Sequence, residues 1–266
     1  DMFEELAKIR AARRMWARLM KERYGAKDPR SMHFRFAVHT AGCSLNPQQP
    51  LNNLVRIAFE ALTAVLGGVQ SLHCCSYDEP MCLPTEKGHL QALRTQQIIA
   101  YETGVTNVAD PLGGSYYVES LTDKMEEEAL RYMKEVEDLG GMEEAIRTEW
   151  LDNRFDQEAV KRQKEMDDLE KLIVGVNVFT SDPETSTPLG VQRISELSTQ
   201  GQIEGVKKLK KSRDPNRWKD ALRRLREEAQ EGKNTIPAMI EATRAHATTG
   251  EMLGTVREVF GYPYDP

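Results

Sequence analysis

Apolar positions recur at helical spacing along most of the chain and at alternating spacing in only a few short stretches. Residues 3–23 carry Leu6, Ile9, Met15, Leu19 and Met20 on one stripe, with Trp16 adding bulk, and the pattern stops near Gly25. Residues 51–66 repeat it more strongly with Leu51, Leu54, Val55, Ala58, Phe59, Leu62, Val65 and Leu66, and the Gly67-Gly68 pair ends the helix. Helices are also predicted over 86–102, closed by Gly104, and over 116–139, where Val118, Leu121, Met125, Met133 and Val136 share a face. Between them, residues 33–38, 69–74 and 105–109 read as short strands. A strand–loop–helix alternation repeated in this way predicts an α/β fold with a parallel sheet and helices outside it. In such folds the loops that follow the strands carry the sites.

The texture changes at about residue 150, which is taken as the boundary between a region 1–150 and a mostly helical region 151–266. Residues 152–172 are charged and helical, and Ile173 to Phe179 form one extended apolar run. Residues 181–188 read as a loop. Helical segments follow near 189–211, 216–231 and 235–260, with Pro215 and Gly232 at the breaks. No fixed-period repeat is present.

Composition narrows the function classes. The chain has 266 residues, 39% apolar and 29% charged, enough for a substantial core. Its 36 basic and 42 acidic side chains give a formal charge of −6, against the basic balance of a dedicated nucleic-acid binder. No apolar run approaches the roughly 20 residues of a membrane helix, and no basic-plus-apolar leader is seen. Four cysteines in a chain of this size are not a disulfide framework, so a reducing cytoplasm is expected. The start at Asp1, directly in helical pattern, reads as a piece of a longer polypeptide.

Few clusters announce chemistry by themselves. Cys43, Cys74, Cys75 and Cys82, with His73 nearby, lack the two spaced ligand pairs of a zinc site and read as ordinary buried thiols, so no metal is expected. The run Lys207-Lys208-Leu209-Lys210-Lys211-Ser212-Arg213 reads as a solvated helix face, with a phosphate contact or partner surface as the alternative. Asp110 to Ser115 place two glycines and a serine before a long helix. Ser115 there is a candidate N-cap, and the free N–H groups are a candidate anion site, without the Gly-Lys-Ser/Thr of a nucleotide loop. Asp78 and Glu79, at a strand end, read as solvated acids unless context gives them acid–base or hydroxyl-binding work.

Several strings, taken together and in order, carry more than their parts. His39-Thr40-Ala41-Gly42, Gln48-Gln49-Pro50-Leu51-Asn52-Asn53 and Gly67-Gly68-Val69-Gln70-Ser71-Leu72-His73 come first. Ser76-Tyr77-Asp78-Glu79, Leu83-Pro84-Thr85-Glu86 and Leu93-Arg94-Thr95-Gln96-Gln97 follow. Asp110-Pro111-Leu112-Gly113-Gly114-Ser115-Tyr116, Gly140-Gly141-Met142 and Val174-Gly175-Val176-Asn177 complete the series. The series resembles the large subunit of the adenosylcobalamin-dependent acyl-CoA mutases, which include methylmalonyl-CoA, isobutyryl-CoA and 2-hydroxyisobutyryl-CoA mutases. The resemblance covers nearly the whole chain and is strongest over about 30–178.

That resemblance implies a (β/α)8 TIM barrel holding a CoA ester along its axis, with adenosylcobalamin on the C-terminal face. It implies a radical carbon-skeleton rearrangement started by homolysis of the cobalt–carbon bond. Three strand–helix units cannot close an eight-stranded barrel, so the chain is expected to be the C-terminal portion of the barrel followed by a helical extension. None of the five histidines has Asp two places before it, so the Asp-x-His-x-x-Gly signature of the lower axial ligand is absent. The implied partners are therefore an acyl-CoA substrate, an N-terminal barrel part and a cobalamin-binding subunit or domain.

Residue by residue, the resemblance makes Glu79 the carboxylate that hydrogen-bonds the adenosyl ribose and Gly42 the glycine against the cobalamin ring. It places Gln70 and Ser71 near the CoA ester. Ala37 and His39 stand where relatives commonly carry His and Gln facing the active cavity, and Cys75 stands where they carry an Asn near the adenosine. These three departures change the cofactor side of the pocket. No catalytic residue is assigned, because the family's histidine near the thioester and its acyl-recognition residues belong to the first part of the barrel. The alternative reading is a non-catalytic assembly paralogue of the large subunit, motivated by Ala37 and Cys75.

Overall fold

A computed structural model of the chain describes residues 1–181 and 195–262. Its internal contacts divide it into two compact units, Asp1–Arg193 and Ile194–Pro266. Residue 150 lies inside the first unit, at the start of a helix.

The first unit is mostly helical around one pair of parallel strands. Helix α1 (Met2–Arg18) is capped by the Asp1 carboxylate, which accepts from the Phe3 N–H at 2.8 Å, and it runs on into a π-helical turn over Leu19–Arg23. Strand β1 (Ala37–His39), helix α2 (Asn52–Gly67), strand β2 (Ser71–His73) and helix α3 (Glu86–Glu102) form the parallel unit that the alternation predicts. The register pairs Ala37 with Ser71, Val38 with Leu72 and His39 with His73. Gly68 ends α2 at φ +80°, a left-handed conformation that favours glycine. Helices α4 (Tyr116–Asp138), α5 (Met142–Arg147) and α6 (Trp150–Asp167) complete the unit.

The core lies between the inner face of the strands and helices α2 and α3. It is built from Leu45, Ile57, Ala61, Cys74, Cys75, Tyr77, Ala92 and Ile99, with Leu72 packed against it. Helix α1 lies beside α2 and α4. A ladder of ion pairs ties it to α4: Arg10 to Glu119, Arg14 to Asp123 and Glu126, Arg18 to Glu126. The numbers rise together along both helices, so the two run parallel.

Two expectations change here. Residues 105–109 do not form a strand. Val105–Asn107 are one 3₁₀ turn, and no strand lies beside them among the described residues. A short β-prone run without a ladder partner has nothing to hold it extended. The apolar run Ile173 to Phe179 is folded back on itself, with Gly175 N–H donating to Val178 O at 2.8 Å. The observed architecture is a mostly helical structure with a single parallel strand pair, compatible with part of an α/β fold.

The second unit holds α7 (Glu196–Ser212), α8 (Pro215–Gln230), α9 (Ile236–Arg244) and α10 (Thr249–Val259). The segment predicted as one helix over 235–260 is two, because the chain turns at His246, where φ is +61°, before the Thr248 capping box starts α10. The loop expected over 181–188 and the first residues of the helix expected over 189–211 lie largely outside the described residues. Lys207, Lys208, Lys210 and Lys211 are exposed, as a solvated face requires. Arg213 departs from that reading. Its side chain is 8% exposed and doubly bonded to Glu251, at 2.7 and 2.8 Å. No helix among the described residues is long and apolar enough to cross a membrane.

Candidate functional site

The two strands present different faces. Val38 and Leu72 turn toward the protein, while Ala37, His39, Ser71 and His73 lie on the exposed face. Alternation is forced by the pleat, and the in-register pairing brings like positions together. The His39 and His73 rings lie against each other, tilted by 31°, with their centroids 4.3 Å apart. Gln70 is exposed just before β2 starts. Cys75 and Glu79 lie past its other end, so at strand rise Gln70 and Cys75 are roughly 15 Å apart along the chain. The sequence-assigned residues thus fall into a group along the strand face (Ala37, His39, Gln70, Ser71) and a group at the strand ends (Gly42, Cys75, Glu79).

The strand ends are tied together by buried polar atoms. Thr40 is buried, and its hydroxyl oxygen accepts from the Cys75 N–H at 2.8 Å. Its carbonyl accepts from the Cys75 thiol at 3.1 Å. Cys75 is therefore turned inward, and burial pushes its thiol pKa up, with the Thr40 bond opposing and Glu79 adding. Burial pushes the neighbouring Cys74 further, to about 11. Both are protonated, inert thiols at neutral pH.

Gly42 is exposed, and a Cβ added there would meet only the Cys75 Sγ, at 3.9 Å. Nothing in the fold of this chain demands glycine at that point. Beside it, Glu60 of α2 accepts from the Ala41 N–H at 2.9 Å and from the Ser44 hydroxyl, so one carboxylate shapes the Gly42 turn. Burial raises the Glu60 pKa against those two bonds. A cleft of about 680 Å³ opens here, lined in part by His39, Ala41, Cys43, Glu60, Arg56 and Lys171.

Glu79 is half-buried, pairs with no cation among the described residues, and accepts from the Ser76 N–H at 2.6 Å. Asp78, expected to be solvated, is 1% exposed. Its carboxylate accepts from the Ser76 and Thr85 hydroxyls and from the Thr85 N–H at 3.1 Å. Burial pushes the Asp78 pKa up, but these bonds outweigh it and the net direction is down.

Sequence reasoning missed the role of Asn53. It is fully buried and bridges both loops: its side-chain amide donates to Asn46 O at 2.8 Å and Tyr77 O at 3.0 Å, while its oxygen accepts from Asn46 N–H. The signal was available, since Asn53, Ile57 and Ala61 fall at helical spacing on the buried face. The Val174–Asn177 string is brought in as well, because Arg56 donates to Val174 O at 2.6 Å and Gln49 donates to Phe179 O at 2.8 Å. The Asp110–Ser115 string is not part of this grouping. Ser115 occupies the N-cap position without a side-chain bond, and the Gly114 N–H is taken by the helix's own Glu119 at 2.9 Å.

Comparison with known proteins shows which family the chain belongs to. The family model described as methylmalonyl-CoA mutase matches residues 1–262. The chain is 43% identical over 263 residues to methylmalonyl-CoA mutase of Rhizobium meliloti, covering 98% of this chain and 36% of that relative. It is 39% identical over 262 residues to the 2-hydroxyisobutanoyl-CoA mutase large subunit of Aquincola tertiaricarbonis, covering 98% of this chain and 46% of the relative. It is 40% identical over 263 residues to the human mitochondrial methylmalonyl-CoA mutase, again 98% of this chain and 35% of the relative. The chain thus spans between a third and a half of the length of these relatives. With the family model matching almost end to end, the chain belongs to the methylmalonyl-CoA mutase family.

Proposed function

We propose that this chain is part of an isomerase that rearranges the carbon skeleton of an acyl-CoA thioester with adenosylcobalamin as cofactor. The observation that carries the reading is the grouping at the strand ends: an exposed glycine that this fold does not need, beside a half-buried carboxylate with no cation partner. A bare backbone position accepts a broad planar ligand closely. A half-buried carboxylate is a strong acceptor for ligand hydroxyls. The residues present therefore fit the cofactor that the resemblance implies.

In this reading β1 and β2 are two of the eight strands of a TIM barrel. Residues 1–150 supply the C-terminal part of that barrel, and residues 151–266 a helical extension at the partner interface. The working enzyme then needs an N-terminal barrel part and a cobalamin-binding subunit or domain. Bound adenosylcobalamin supplies a weak cobalt–carbon bond whose homolysis starts hydrogen abstraction from the substrate. Glu79 would hold the adenosyl ribose, and Gly42 would let the cobalamin ring approach the backbone. His39 and Ala37 would line the cofactor side, and Cys75, buried with its thiol on Thr40, would back that side from within. Ser71 and Gln70 would contact the CoA ester along the strand face toward the other end of β2. The residues here orient the ligands and exclude water, and no proton transfer is assigned to them. All four cysteines are free thiols, in keeping with a cytoplasmic or otherwise reducing compartment.

The test is cobalamin retention, read by absorbance after gel filtration of the chain co-expressed with its barrel part and cobalamin-binding partner. A retained cobalamin spectrum at fixed stoichiometry is expected. A stable complex that holds no cobalamin overturns the reading and favours the assembly paralogue. One observation gives that second reading its content: Ala37 contributes only a methyl group to the exposed face, and Cys75 keeps its thiol on Thr40.

A further inference from the structure

Asp78 is the most completely enclosed carboxylate among the described residues, and no cation pairs with it there. Its charge is held by three donors from two directions: the Ser76 hydroxyl on one oxygen, and the Thr85 N–H and hydroxyl on the other. Thr85 is also the N-cap of α3 and accepts from the Gly88 N–H at 3.0 Å, so the carboxylate sits at the positive end of that helix. The space is closed from below by Gly88. A Cβ there would lie 2.1 Å from the Ser76 hydroxyl and 2.6 Å from Asp78 Oδ1. The Asp78 carbonyl accepts from Met81 and Cys82 N–H, so side chain and backbone together set the whole turn.

Ser76 is the link to the exposed side of the turn. Its hydroxyl is spent on Asp78, and its N–H is donated to Glu79. Adjacent carboxylates thus share one serine, the buried one fixing its side chain and the half-buried one taking its backbone. We infer that Asp78 is a positioning residue for Glu79: it anchors the turn to the start of α3, so that the Glu79 carboxylate is held ready for a ligand hydroxyl. The inference rests on the reading of Glu79 as the carboxylate that meets the adenosyl ribose.

The test compares binding of adenosylcobalamin and hydroxocobalamin, which lacks the adenosyl group, to the reconstituted complex. Its readout is the ratio of the two affinities, which a general loss of stability would not move. Glu79→Gln is expected to lower the ratio by about tenfold, the loss of one hydrogen bond to a charged acceptor. Asp78→Asn, which keeps the shape but removes the charge and turns the Ser76 hydroxyl from donor to acceptor, is expected to lower it by roughly three- to tenfold. The double variant should lose no more than Glu79→Gln alone, because both act through one contact.

A lowered ratio in Asp78→Asn with no further loss in the double variant supports the proposal. An unchanged ratio in Asp78→Asn, with a fall in Glu79→Gln, overturns the positioning role and leaves the reading of Glu79 intact. An equal loss for both cobalamins in Asp78→Asn shows a merely structural role and overturns it too. No change in Glu79→Gln overturns the reading of Glu79 and the inference with it. Where Asp78→Asn yields no soluble complex, Ser76→Ala decides. It removes one donor from Asp78 while keeping the Ser76 N–H, and an unchanged ratio in that variant overturns the proposal.

Discussion

The turns at the strand ends and the helical unit Ile194–Pro266 bury polar groups to different ends. Around the strands, Thr40, Asn53, Ser76 and Asp78 are all buried and bonded mainly to loop backbone or to one another. In the helical unit the buried positions are mostly small and apolar: Ala229, Ala238, Ala242, Ala245 and Ala247 around Leu225. Among its described residues the one enclosed ion pair, Arg213 with Glu251, joins the start of α10 to the segment before α8, with the guanidinium also 3.9 Å above the Trp218 ring. Apolar packing is sufficient where helices need only lie together, since it is non-directional. A loop that must hold a carboxylate at one place needs directional bonds, and those are polar.

The sharpest way to break the contrast is Gly88→Ala. A methyl group 2.1 Å from the Ser76 hydroxyl has no room, and it would split the Asp78 cluster. A loss of about 4 kcal/mol is expected from overpacking together with disrupted buried hydrogen bonds. Urea unfolding should show the loss, and cysteine protection at Cys74 and Cys75 should fall with it. In the helical unit the matching change is Arg213→Ala. It leaves Glu251, 13% exposed at the side chain, without its main partner, for a loss of about 3 kcal/mol in the same measurement.

Acid titration separates the carboxylates by sign. Bonding to Arg213, against burial, holds Glu251 down at about 2, below its ordinary 4.5. Its contribution is present above the ordinary value and is lost as pH falls from 4.5 toward 2, about 3 kcal/mol in all. Asp78 is shifted in the same direction and adds to the same acid limb. Glu60 has the opposite sign. Burial raises it, so the folded state holds the proton more tightly, and its contribution is full below the ordinary value and falls as pH rises through the raised one. Thermal melts from pH 7 to pH 2 should therefore steepen in acid, and Glu251→Gln should flatten that limb. If the limb is unchanged in that variant, the pair does not carry acid sensitivity.

The smallest perturbation is chemical labelling of thiols, which costs no stability at low reagent. Exposed Cys43 should react first, with Cys74, at about 11 through burial, and Cys75 protected until the strand-end turns open. Early modification of Cys75 would show that the Thr40–Cys75 bonds do not hold the strand ends closed.

Much of this was legible in the chain itself. The helix over 86–102 has the predicted limits, and those over 51–66 and 116–139 lie within a residue of them, because their apolar stripes and glycine or N-cap stops are strong local signals. The apolar stripe on α2 was read as one face, yet Leu51, Val55 and Phe59 are exposed while Ile57 and Ala61 are buried. Periodicity finds a helix but does not choose which edge of a broad stripe is covered. Within the candidate site, Glu79 and Gly42 came from ordered motifs rather than from local chemistry. Asp78 and Asn53 were left out because a polar residue in a loop or helix start reads as solvated until its donors are known.

Sequence alone determined most of the helices, the parallel strand–helix unit and the family, since each rests on local spacing or on ordered strings of residues. Tertiary structure decided which β-prone runs became strands, because a ladder exists only where a partner lies alongside: 37–39 found 71–73, and 105–107 closed into a turn instead. It also decided which of two neighbouring acids is enclosed. Asp78 and Glu79 are chemically alike in the chain. The arrival of Thr85 and Gly88, at the start of α3, surrounds one with donors and leaves the other facing out.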